Sequence, residues 1–137
     1  MTDKPLRIVV ADDDAMARLG YRAMLECAGH TVLVAQDGDE ATRLIEHGGV
    51  DLLLLDVLMP RKEGLETLLE IKRRFPATVV VVMSAGGPRS EFDFLAIATK
   101  LGADRTLPKP ISQNDLISLA DEFKPAARSG ARQMRPS

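Results

Sequence analysis

The chain has 137 residues, 45% of them hydrophobic and 28% charged, enough for one well-buried core and no second domain. A formal net charge of −2, one cysteine and two histidines exclude an intrachain disulfide, a cysteine cluster and a histidine-based metal site, and leave no obvious Ser-His-Asp triad. No segment reaches the roughly 18 apolar residues of a membrane span, and the opening MTDKPLR lacks the apolar region of a signal peptide. A reducing, cytoplasmic location with no membrane association is expected.

In chain order, residues 6–11 form a short apolar run that ends in Asp12-Asp13-Asp14. A helix follows over 15–28, with Met16, Leu19, Ala23 and Leu25 as its apolar positions, Asp13 or Asp14 as N-cap and Gly29 as stop. Residues 31–35 are β-branched and strand-like, and Asp37-Gly38 turns into a helix over 39–47. Four consecutive leucines, Leu52 to Leu55, then run into Asp56, followed by Met59-Pro60 and Gly64. A short apolar run closed by such punctuation fits a strand buried on both faces. A third helix is expected near 65–75, a valine-rich strand over 78–83, and a fourth helix over 91–101. Arg105 to Leu107 make a short fifth strand, and Ser112 with Asp115 starts a last helix that ends near Phe123. Cys27 and Met83 are expected to fill the core.

Five strands alternating with five helices imply an α/β fold with a parallel sheet covered on both faces. Pro108 places the fifth strand at an edge, which agrees with the doubly wound, flavodoxin-like order 2-1-3-4-5. The domain is expected over residues 6–124, after an N-terminal extension of residues 1–5. Residues 125–137, rich in Arg, Ala, Ser, Gly and Pro without apolar periodicity, are expected to form a disordered basic tail.

In that topology the first strand ends in Asp12 and Asp13, the third in Asp56, the fourth in Ser84 and the fifth near Lys109. Each has a bland reading: an N-cap, a turn-forming Asp, a strand-end hydroxyl, a solvated lysine. Together they converge on the carboxyl edge of the sheet, where open α/β folds bind ligands. Two like charges about 4 Å apart cost on the order of 4 kcal/mol at an effective dielectric near 20, a cost that Mg2+ would remove. Asp56 could then accept a phosphoryl group, with Ser84, the Ala85 N–H and Lys109 acting on the transferring charge. A nucleotide cradle of the GxxxxGK[ST] type is absent, so a phosphoprotein or small phosphodonor is expected.

These residues resemble the receiver domains of two-component response regulators. The likeness lies in the acidic pair Asp12-Asp13, in LLLLDVLMP with MPRKEG, in VVMSA and in GADRTLPKP. It implies Asp56 as phosphoacceptor and a Mg2+ site of Asp12, Asp13, Asp56 and the Leu58 backbone carbonyl. It also implies Ser84 as switch hydroxyl, Lys109 as the site lysine, and a cis Lys109-Pro110 bond. Two positions depart from the pattern: Glu63 stands where Asp or Asn is usual, and the switch position Thr106 stands where the family generally has an aromatic ring. The resemblance further implies a single-domain regulator that takes its phosphoryl group from a histidine kinase or histidine phosphotransfer protein. It would catalyse only its own phosphorylation and dephosphorylation. Output would go to a downstream protein through the fourth-helix, fifth-strand, fifth-helix face, or onward as a phosphate shuttle, with no nucleic-acid partner. The rival readings are a degenerate interaction module and an Asp-nucleophile phosphatase. The second rival lacks the expected acidic residue two positions after the nucleophile, where Leu58 stands.

Overall fold

The computed structural model describes residues 5–57, 63–84 and 94–123. Five strands and five helices alternate along them: β1 (Arg7–Ala11), α1 (Ala15–Cys27), β2 (Thr31–Ala35), α2 (Gly38–Glu46) and β3 (Leu52–Asp56) come first. Then follow α3 (Glu63–Arg74), β4 (Val79–Ser84), α4 (Phe94–Lys100), β5 (Arg105–Pro108) and α5 (Gln113–Glu122). All pairings are parallel and the order is β2-β1-β3-β4-β5. The flavodoxin-like arrangement read from the sequence is therefore the observed one, with β5 and its Pro108 on an edge. The tail after residue 124 and all of the N-terminal extension except Pro5 lie outside the described residues.

Side chains alternate across a strand, so each leucine and valine run feeds two cores. One core joins Ile8, Val10, Leu52, Leu54, Val81 and Met83 to Tyr21 and Leu25 of α1 and Leu116 of α5. The other joins Val9, Leu53, Leu55, Val80 and Val82 to Ile45 of α2, Leu68 and Ile71 of α3 and Ala98 of α4. Every residue of β3 is buried, which is why that strand reads as unbroken leucine.

The helix starts follow local chemistry. Asp14 caps α1 by accepting from the Met16 N–H at 3.1 Å, Asp37 caps α2 through Glu40 N–H at 2.9 Å, and Ser112 caps α5 through Asp115 N–H at 3.0 Å. The amides at the entry edge of the sheet also find side-chain acceptors. Leu6 N–H donates to Nδ1 of buried His30 at 3.0 Å, Arg7 N–H to Asp51 at 2.9 Å, and Val80 N–H to Asp104 at 2.8 Å. Lys72 meets the same Asp104 oxygen at 2.9 Å.

Two expectations fail on α1. Met16 and Leu19 are 75% and 56% exposed, and Ala23 is exposed as well; Tyr21 and Leu25 hold the buried face, with Ala17 and Met24 packed beside them. Cys27 is exposed rather than core-filling. Apolar residues lie all round this helix, so their spacing alone cannot select the side that docks. Met83 is fully buried as expected.

Gly64 lies inside α3 and does not punctuate the chain before it. A Cβ there would fall 2.4 Å from Val57 Cα and 2.9 Å from the Asp56 carbonyl oxygen. Glycine thus lets α3 press against the exit of β3. Gly64→Ala should lower stability by about 1–3 kcal/mol through a backbone clash and shift the Asp56 and Val57 amide resonances. Gly20, in mid-α1, meets nothing within 4 Å of a built Cβ, and Gly20→Ala should raise stability by up to about 1 kcal/mol. Urea unfolding of the two variants checks both signs.

Candidate functional site

The strand order sets β1 beside β3, with β4 and β5 following, so their exits share one edge. By alternation, Asp12 follows Ile8 and Val10, and Asp56 follows Leu52 and Leu54, onto the face covered by α1 and α5. Ser84 and Thr106 fall on the other face with Val82, the register partner of Thr106. Asp12 is fully buried, Asp56 is 5% exposed and Ser84 2% exposed; Thr106 is half-buried. Bare carboxylates at that depth need hydrogen bonds and an opposite charge.

Lys109 supplies the charge. Its ammonium donates to Asp12 Oδ2 at 2.7 Å and to Asp56 Oδ2 at 3.3 Å. Asp12 Oδ1 accepts from the Asp14 N–H at 2.9 Å, so the loop after β1 folds back over the buried carboxylate. The backbone of Lys109 is anchored too, its N–H donating to the Ser84 carbonyl at 2.8 Å, and the Lys109-Pro110 bond is cis as expected. Burial drives the ammonium toward neutrality. The hydrogen bond to Asp12 and the charges of Asp56 and Asp12 outweigh that, and the Lys109 pKa lies above the ordinary lysine value. Protonation therefore stabilises the fold fully below the ordinary value, about 10.4, and this contribution is lost only as pH rises through the raised one.

Asp13 is exposed and completes the acidic group. One carboxylate oxygen each from Asp12, Asp13 and Asp56 lie within 4.8 Å of one another. A donor set made only of oxygens, with one member open to solvent, fits a hard divalent cation such as Mg2+ better than a softer metal. Asp12, Asp13, Asp56, Ser84 and Lys109 thus meet at one edge. Leu58, whose carbonyl was expected as a further ligand, lies outside the described residues, as do Ala85 and the Gly-Gly-Pro stretch after it. So does the side chain of Glu63.

Three contributors were missed by sequence reasoning. Arg18 donates from Nη1 to the Asp12 carbonyl at 2.6 Å, tying α1 to the exit of β1. Tyr21 sits under Lys109, with the ammonium 5.9 Å from its ring centroid. Gly64 sets the distance between α3 and the Asp56 backbone. A lone tyrosine in a chain with little aromatic content was the only available signal for Tyr21.

Comparison with known proteins agrees with this fold. The family model of the response regulator receiver domain matches residues 8–121. The transcriptional regulatory protein CpxR of Klebsiella pneumoniae is 38% identical over 112 residues, which cover 82% of this chain and 46% of that protein. The response regulator MprA of a Mycobacterium species is 37% identical over 114 residues, covering 83% of this chain and 48% of that one. The chain thus spans about half the length of these curated relatives. Among solved structures, a response regulator receiver domain protein from Clostridium thermocellum superposes with a TM-score of 0.80 at 27% identity, covering 92% of this chain and 98% of its own. With a family match spanning both cores and all four converging strand ends, the chain belongs to the response regulator receiver domains.

Proposed function

We propose that this receiver accepts a phosphoryl group on Asp56 from a phosphohistidine donor, a histidine kinase or a histidine phosphotransfer protein. The observation that carries this reading is the Lys109 ammonium held between Asp56 and Asp12 at the carboxyl edge of the sheet. An ionised carboxylate attacks without a base. A bond forms between an Asp56 oxygen and phosphorus as the P–N bond of the phosphohistidine breaks, and the imidazole, protonated on its other ring nitrogen before transfer, leaves as the neutral base. Lys109, already beside Asp56, meets the charge that develops on the phosphoryl oxygens, and Ser84 offers a hydroxyl from the end of β4. Asp12, Asp13, Asp56 and the Leu58 carbonyl would hold Mg2+, which when bound neutralises charge on the same oxygens. In this reading the chain catalyses its own phosphorylation and dephosphorylation and turns over no separate substrate.

The exposed side of α1 supports a protein donor. The helix begins at the rim of the acid cleft, and Met16 and Leu19 present large apolar side chains to solvent within its first turns. A phosphoprotein approaching Asp56 would cover them. Output follows from the other flank: phosphorylation draws Ser84 toward the new group, and half-buried Thr106 in β5 lies on the same sheet face. The α4–β5–α5 surface then presents the change to a downstream protein, or the phosphoryl group passes onward. Likeness to stand-alone receivers in the GADRTLPKP stretch favours a single-domain regulator.

Three outcomes are expected. Treatment with acetyl phosphate and Mg2+ should add one phosphoryl mass to the wild type. Asp56→Asn and the chelated protein should gain none; full modification under chelation, read by intact-protein mass spectrometry, would sink the metal assignment. Lys109→Ala should slow that modification by about 10²-fold, whereas Ser84→Ala should still be modified but lose most of the phosphorylation-dependent amide shifts. Met16→Glu and Leu19→Glu should slow transfer from a phosphohistidine protein by roughly tenfold or more while leaving acetyl phosphate modification unchanged. Equal losses with both donors would show that this side of α1 is not the landing surface.

A further inference from the structure

Lys109 has a third partner to which the phosphotransfer reading gives no role. The Tyr21 ring lies with its centroid 5.9 Å from the ammonium. Tyr21 is 8% exposed and shares the core under α1 and α5 with Ile111 and Leu116, so the ring is fixed from below. Through Lys109 the ring lies against the acid cleft; burial first, then the charges of Asp12, Asp56 and Asp14, hold the phenol pKa above the ordinary value against the opposing pull of Lys109.

An aromatic face carries partial negative charge and attracts an ammonium within about 6 Å, more strongly where water is excluded. Lys109 needs such a guide. Its four-carbon stem is flexible, and its two carboxylate partners compete, with Asp12 holding the shorter bond at 2.7 Å and Asp56 the longer at 3.3 Å. Unequal bonds to two partners leave the ammonium able to collapse onto Asp12. A ring beneath it supplies the third point.

We propose that Tyr21 is a positioning residue for phosphoryl transfer: its ring face holds the Lys109 ammonium between Asp12 and Asp56, where the incoming phosphoryl oxygens arrive. This rests on the reading of Asp56 as phosphoacceptor. The function asked of Tyr21 is that of its ring and not of its hydroxyl, so it differs from a purely packing role in what should replace it.

The test compares wild type, Tyr21→Phe, Tyr21→Leu and Tyr21→Met in acetyl phosphate modification, with and without Lys109→Ala. The Met variant stands in should the Leu variant not fold. Removing the ring should lower the saturating rate about three- to tenfold with little change in the phosphodonor concentration at half-saturation, and Phe should restore it. In the Lys109→Ala background, removing the ring should change nothing further. NMR of the Lys109 ε-methylene protons gives a readout independent of chemistry: their ring-shifted position should persist in Tyr21→Phe and move to the unshifted lysine value in Tyr21→Leu. Wild-type rates in the ringless variants, or the same loss without Lys109, would overturn the proposal. Should the wild type itself take no phosphoryl group, the phosphoacceptor reading fails, and an unmoved methylene shift in Tyr21→Leu would still separately refute the placement of the ring.

Discussion

The molecule depends on one ammonium set between two buried carboxylates. Asp12 and Asp56 are brought together because β1 and β3 are neighbours; like charges about 4 Å apart repel by on the order of 4 kcal/mol at an effective dielectric near 20, and the carboxylate oxygens here lie within 4.8 Å. Lys109 offsets that repulsion from chain positions 97 and 53 residues away. The charged lysine helps the segment after β5 close over the sheet and lowers the cost of burying the two carboxylates. The backbone bond from Lys109 to Ser84 makes the same residue the tie between the exits of β4 and β5. In the proposed reaction, folding and chemistry thus converge on one side chain. A partner that draws Lys109 off Asp12 acts on both at once.

Much of this was legible in the sequence because parallel strands, buried on both faces, must be apolar throughout. Leu52 to Leu55 and the valines of β4 could be read directly, and the polar residue that ends each run marks the functional edge. Asp12, Asp56 and Ser84 were found that way, and Lys109 by its place after the edge strand. Pro108 told which strand that was. Helix starts were legible for a similar reason at α1 and α5, since Asp14 and Ser112 each satisfy an amide that the helix itself cannot, whereas Asp37, read as a turn, caps α2.

What stayed hidden depends on which way a helix is turned. On α1 the apolar residues are spread over every side, and the choice of buried face was made by packing on β1 and α5, through Tyr21 and Leu25, with Met16 and Leu19 left outside. The same contacts bring Tyr21 under Lys109, a pairing that no spacing rule encodes. Gly64 was misread for a related reason. A glycine near a strand exit looks like punctuation, whereas here it is the only residue small enough for a helix laid against the β3 backbone.

The side-chain acceptors at the entry edge have a consequence for how such a protein can change over time. His30, Asp51 and Asp104 hold the strand entries, and Lys72 braces the last of them, at the opposite end of the sheet from the acid cleft. Substitutions at that end would change resistance to heat or denaturant while leaving the residues of the acid cleft in place. The entry rim can therefore change stability without disturbing the acid cleft, although changes at the cleft itself touch both stability and reactivity. A lineage carrying this chain into a hotter or colder habitat can rework the lower rim and leave the upper one untouched.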